Sequence, residues 1–136
     1  MEVKHGRGYV YAIEYHIVWC VKYKKNVLEG EIADYLKELL TEIAIKYDFR
    51  VESLEVVTDH VHVLVSATPQ HTIPSLVKYL KGISARKLFL KFPKIKTKLW
   101  GGHLWNPSYF VATVSENTES QIKKYIESQN DSSEGV

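Results

Sequence analysis

The sequence predicts an α+β domain, an antiparallel sheet of four strands with helices on one face and an added helix at the C-terminus. Three observations carry this. Hydrophobic periodicity changes along the chain in the order strand, helix, strand, strand, helix, strand, helix. The two middle strands are separated only by Thr58-Asp59, too short for anything but a hairpin turn. The chain has 136 residues, 45% hydrophobic and 25% charged, ordinary values for one compact domain.

Each element follows from local pattern. Residues 9–21 are rich in β-branched and aromatic side chains and read as a long first strand, followed by a loop holding Lys22, Lys24, Lys25 and Asn26. Residues 29–47 place Ile32, Leu36, Leu39, Leu40 and Ile43 on one helical stripe. Residues 49–57 alternate loosely as a second strand, and residues 60–66 form the third. Pro74 sits near the start of a second helix, where a missing N–H costs little. That helix carries Leu76, Val77, Leu80, Ile83 and Leu88 to about Phe92, and a basic loop follows. Residues 109–114 are the fourth strand. Ser115 or Asn117 caps a last helix from about Thr118 to Gln129. This order is the split β-α-β pattern of a ferredoxin-like (RRM-like) sheet. Residues 1–130 are expected to form a single domain, and 131–136 a polar tail.

Composition excludes several classes. The lone Cys20 cannot form an internal disulfide and lies beside Trp19 in an apolar run, as a packed thiol in a reducing compartment would. Residues 1–10 have no apolar core of a signal peptide. The longest stretch without acidic or basic residues, 60–77, contains three His and two Pro and is no membrane span. A soluble, cytoplasmic protein is expected. The net charge of +2 hides an asymmetry: residues 60–115 contain no Asp or Glu and carry +8, against −6 elsewhere. A single-sign block of this length suits a polyanion, although a solvated helix face would look the same. The candidate phosphate contacts are Lys78, Lys81, Arg86 and Lys87 on the second helix and Lys94, Lys96 and Lys98 after it. Trp100, Trp105, Tyr109 and Phe110 lie close by and could stack on unpaired bases, with Trp105 and Phe110 expected to be mostly buried.

The sharpest local signal is Asp59-His60-Val61-His62-Val63-Leu64-Val65. In a strand His60 and His62 share one face, ~7 Å apart at Cα, while Val61, Val63 and Val65 share the other. Two such imidazoles can reach one divalent ion, or can be an inert pair on a half-exposed strand. On the last helix Tyr125 and Gln129 are i and i+4 and project from one face, ~6 Å apart. If Gln129 completes a site with the two His, Tyr125 is close to it. Two imidazoles, one amide oxygen and open positions suit Mg²⁺ or Mn²⁺. His16 is either a supporting group for that site or a His at the edge of the core; Asp59 either orients an imidazole or simply makes the turn. His71 and His103 lie in loops and are less informative.

Taken together these motifs resemble the single-tyrosine HUH transposases, in which His60-Val61-His62 is the HUH element. The resemblance runs from Tyr15-His16-Ile17-Val18-Trp19 through Leu80-Lys81-Gly82-Ile83-Ser84-Ala85-Arg86, Leu99-Trp100-Gly101-Gly102 and Ser108-Tyr109-Phe110-Val111-Ala112-Thr113-Val114 to Tyr125-Ile126-Glu127-Ser128-Gln129. It implies that His60 and His62 bind the metal, Gln129 is the third ligand and Tyr125 is the nucleophile. It implies further a 5′-phosphotyrosine, a free 3′-OH, and homodimers that recognise imperfect hairpins in single-stranded DNA. In such dimers the tyrosine helix of one subunit can serve the His pair of the other. Two positions depart from the family's habit: Thr58 stands where Pro often precedes Asp-His, and Ser115 where Gly often leads toward the tyrosine helix.

Overall fold

The structure, a computed structural model, describes residues 3–6, 9–11, 13–99, 102–114 and 118–134. Its centre is a four-stranded antiparallel sheet of β3 (Glu14–Cys20), β4 (Arg50–Val57), β5 (His60–Ser66) and β6 (Phe110–Thr113), in the order β4-β5-β3-β6. This is the ferredoxin-like arrangement. The β4–β5 hairpin turns at Thr58-Asp59, and β3 takes the centre because it pairs with β5 on one side and β6 on the other. The loose alternation of the second strand has a cause: the β4–β5 register slips between Val51 and Ser53, a bulge that gives β4 one extra residue.

The first strand differs from expectation. Residues 9–11 do not extend the main sheet. They form β2 (Tyr9–Tyr11), which pairs with β1 (Lys4–Gly6) as a separate two-stranded sheet, and the central strand begins only at Glu14. Alternation alone cannot tell one long strand from two that pair with different neighbours.

One face of the sheet is closed by α1 (Glu31–Lys46) and by a long helical segment composed of α2 (Ile73–Val77), a π-helical turn (Lys78–Ile83) and α3 (Ser84–Lys91). Thr72 caps α2 with a reciprocal Ser75 capping box, and Pro74 occupies the first turn. Ile17, Trp19, Val61, Val63 and Val65 point into this layer against Leu36, Leu40, Leu76 and Leu80, all fully buried. The region after α3 contains one short helix, α4 (Ile95–Lys98), where a loop was expected. On the other face lies α5 (Thr118–Glu134), which runs past the expected end at Gln129, since no Gly or Pro interrupts it. Its Ile122 is buried on this side, where Val18 and Cys20 are also sealed. The capping candidates Ser115 and Asn117, and the stacking candidate Trp100, lie outside the described residues. Among the described residues no helix is long and apolar enough to cross a membrane.

Candidate active site

β5 alternates as its sequence requires. Val61, Val63 and Val65 are buried under α1 and α2, and His60 and His62 stand on the opposite face, each partly exposed. His60 Nδ1–H donates to Asp59 Oδ1 at 2.7 Å, which fixes the ring and leaves the lone pair on Nε2. Of the two readings of Asp59, the structure thus shows the orienting contact. His62 Nε2 and His16 Nδ1 are 2.9 Å apart with ring centroids at 5.1 Å, so His16 is the direct neighbour of the pair. Burial, and then the nearness of His16, push the His62 pKa down and keep its imidazole neutral.

α5 crosses this face and leaves a cavity of about 500 Å³ in front of the pair, with Glu55, His60 and His62 on the sheet side and Glu119, Lys123 and Glu127 on the helix side. The donors are nitrogen and hard oxygen, a set suited to a divalent cation with open positions. Among the described residues, no three His, Cys, Asp or Glu side chains are gathered closely enough to hold a metal by themselves.

Tyr125 and Gln129 share one side of α5, as their spacing dictates, but they rest away from that cavity. Asn106 Nδ2 donates to Gln129 Oε1 at 2.6 Å and Ser108 Oγ donates to the same oxygen at 3.0 Å. Ser108 has then spent its single proton, so the Tyr125 hydroxyl, 2.8 Å away, donates to Ser108 Oγ. The Tyr125 ring lies against Phe110, with centroids 5.8 Å apart. Phe110 faces Val18 in register and Val18 faces His62, so Tyr125 sits on the strand two places from the His pair, about 10 Å across the sheet. Burial pushes the Tyr125 pKa up to about 12, against a smaller downward pull from Ser108. Here Tyr125 is a held phenol, and Gln129 Oε1 already accepts two hydrogen bonds.

The loop that holds them is itself fastened by Lys81. Its ammonium donates to the carbonyls of Asn106 at 2.7 Å, Ser108 at 3.1 Å and Pro107 at 3.3 Å. Burial pushes its pKa down to about 8. Lys81 therefore departs from its expected place among the phosphate contacts: it shares the inward side of the segment with the buried Val77 and Ser84, and three carbonyls hold its ammonium. Ser84 and Trp105 are buried beside it, with Trp105 Nε1–H 3.1 Å from both Lys81 O and Ser84 Oγ. Phe110, expected to be mostly buried, is only half-buried even with the Tyr125 ring against it. Sequence patterns did not single out Asn106, Ser108 or Lys24. Ser108 could have been found from its place in the Ser108-Tyr109-Phe110 block.

The other candidate phosphate contacts are exposed. Lys78, Arg86 and Lys87 border a groove of about 570 Å³ between α1 and the α2–α3 segment, on the face away from the His pair. Its floor includes Tyr47 and Tyr79, stacked at 3.9 Å and nearly parallel. Lys94, Lys96 and Lys98 are exposed around α4. His71 is structural: Nδ1 accepts from Thr68 N–H at 3.0 Å, and Nε2–H donates to Tyr47 O at 2.8 Å. Cys20 is fully buried, and burial raises its thiol pKa to about 11, which makes it a core residue as expected.

Residues 9–129 match the model of the family described as IS200-like transposase. The chain is 60% identical to the ISDra2 transposase TnpA of Deinococcus radiodurans over 96% of its own length and 94% of that protein's. It is 32% identical to the transposase for insertion sequence IS200 of Salmonella typhimurium, over 85% of this chain and 76% of the relative. A solved structure from Deinococcus radiodurans R1, described as a candidate transposase, superposes with a TM-score of 0.89 at 56% identity, covering 93% of this chain and 97% of that one. A REP-associated tyrosine transposase bound to a REP hairpin shares the fold at 12% identity, with a TM-score of 0.51 over 88% of this chain and 67% of its own. Sequence match over nearly the whole chain and the shared sheet make this protein a member of the IS200-like transposase family.

Proposed function

We propose that this transposase cleaves and rejoins single-stranded DNA at hairpin-bearing element ends through a 5′-phosphotyrosine on Tyr125. The observation that carries the reading is that His60, His62 and the helix bearing Tyr125 and Gln129 occupy one face of one sheet. In the reaction the Tyr125 oxygen attacks the scissile phosphorus and its phenolic proton departs. The bond from phosphorus to the 3′ oxygen breaks, leaving a free 3′-OH and the 5′ phosphate on tyrosine. Attack by a 3′-OH on that linkage reseals a strand and returns the phenol, with no ATP.

His60, His62 and Gln129 are the residues that would hold a divalent ion, Mg²⁺ or Mn²⁺, which supplies polarisation of the phosphoryl oxygens and stabilisation of transition-state charge. Gln129 Oε1 and Tyr125 are engaged by Asn106 and Ser108 within one chain, so α5 must leave this cradle for both to reach a His pair. A homodimer in which α5 of one copy serves the His pair of the other satisfies that requirement. Lys78, Arg86, Lys87, Lys94, Lys96 and Lys98 are the phosphate contacts of this reading, by charge and exposure. A structural relative was solved with a hairpin bound, which suits the choice of substrate.

The test is a labelled single-stranded hairpin from the flanking element end, incubated with Mn²⁺ or Mg²⁺. A covalent protein–DNA band that needs the metal and vanishes in Tyr125→Phe is the expected result. Tight binding with neither cleavage nor adduct on the confirmed element end would instead mark a DNA-holding module.

A further inference from the structure

We infer that Lys24 is a positioning residue that couples the docking of α5 to the orientation of His60. The inference rests on the reading of His60 as a metal ligand.

The argument starts in the backbone. β3 ends in a tight turn, Lys22–Lys24, in which Tyr23 and Lys24 both adopt left-handed conformations, at φ 60° and 48°. Side chains other than glycine disfavour this region, and two in succession persist only where the surroundings over-determine them. The anchors are visible. Val21 N–H donates to Asp59 O at 2.9 Å, Lys22 N–H to Leu104 O at 2.9 Å and Lys24 N–H to Val21 O at 2.8 Å. The Lys22 ammonium also covers the Tyr23 ring at 5.5 Å.

What this turn achieves is the aim of one side chain. Lys24 Nζ lies 3.7 Å from Asp59 Oδ2 and donates to Ile126 O at 3.4 Å. Ile126 follows Tyr125 on α5. Asp59 is thus divided between two partners, Oδ1 accepting from His60 Nδ1 and Oδ2 facing the ammonium. The side chains of Lys24, Asp59 and His60 are only 13%, 21% and 14% exposed, so these contacts are shielded from bulk water, unlike a surface ion pair. The ammonium holds the carboxylate in the rotamer that receives His60 Nδ1–H. The same ammonium holds the helix at the residue beside the tyrosine. Movement of α5 is therefore felt at His60 through one lysine and one carboxylate.

The test measures Mn²⁺ binding to the full, DNA-free chain by electron paramagnetic resonance, with amide hydrogen exchange of α5 as a second readout. Lys24→Met is expected to weaken Mn²⁺ binding about tenfold, the lower end of effects from residues behind a metal ligand. Lys24→Arg should restore most of the loss. In an Asp59→Ala background Lys24→Met should add nothing further, because the two act in series. Mn²⁺ should alter exchange near Ile126 in the parent chain and leave it unchanged in Lys24→Met. Tighter Mn²⁺ binding in Lys24→Met would show that the lysine acts only as a repelling charge and would overturn the inference. Additive losses in the double variant would also overturn it. Absence of Mn²⁺ binding by the parent chain would remove the metal reading of His60 along with it, a failure distinct from a parent that binds and a variant that binds equally.

Discussion

Tyr125 shows how the setting of one residue governs its chemistry. Its hydroxyl donates to Ser108, and burial lifts its pKa to about 12, so at neutral pH it is a phenol. Tyr125→Phe should abolish the covalent adduct while hairpin binding persists in a gel-shift assay. It should change folding stability by no more than about 1.5 kcal/mol, since one hydrogen bond is lost and Ser108 keeps Gln129. His62→Ala should remove activity and its metal dependence together, and normal cutting by that variant would refute the metal assignment. Lys81 makes a pH-dependent prediction. Its folded pKa of about 8 lies below the ordinary 10.5, so between these values the unfolded chain binds the extra proton. Stability from this residue therefore rises with pH across that window. Denaturant midpoints of the parent chain relative to Lys81→Met should move in the parent's favour from pH 8 to pH 10.5.

At the scale of elements, the exposed cations and the His pair lie on opposite faces of the sheet. The groove between α1 and the α2–α3 segment carries Lys78, Arg86 and Lys87 at its rim, exposed and on the far side from the His pair. Replacing Arg86 and Lys87 together by Ala should weaken DNA binding. It should also flatten the plot of log affinity against log salt by about 1.4 to 1.8, one counterion-release increment per lost phosphate contact. An unchanged slope would place the DNA elsewhere. Lys81 lies four residues after the buried Val77 and three before the buried Ser84, on the inward side of the segment, and its ammonium reaches the 106–108 carbonyls.

For the whole molecule, the key fact is a distance across the sheet. Tyr125 rests on β6 and the His pair stands on β5, with β3 between them. If α5 serves a second copy, two inactive variants should rescue each other: Tyr125→Phe mixed with His62→Ala should form adduct when neither does alone. Adduct absent from the mixture, with both variants folded and dimeric, would mean that α5 swings back to its own His pair.

The sequence by itself determined the order of the four main-sheet strands and the three long helical segments, the hairpin at Thr58-Asp59, the split of β5 into a valine face and a histidine face, and the pairing of Tyr125 with Gln129 on one side of a helix. All of these are consequences of local period, 2 for strands and 3.6 for helices, or of a turn too short to be anything else. Tertiary structure alone decided the rest. Residues 9–11 left the main sheet because they found a partner in residues 4–6, which periodicity cannot foresee. Lys81 read as a phosphate contact on the second helix and Lys24 as a loop lysine until the fold brought the 106–108 carbonyls to one and Asp59 to the other. The resting place of α5 depended on Asn106 and Ser108, more than fifteen residues from Tyr125 and Gln129 in the chain. Contacts between distant segments leave no periodic trace in a sequence, so a reader of this chain could find the chemical groups but not where they wait.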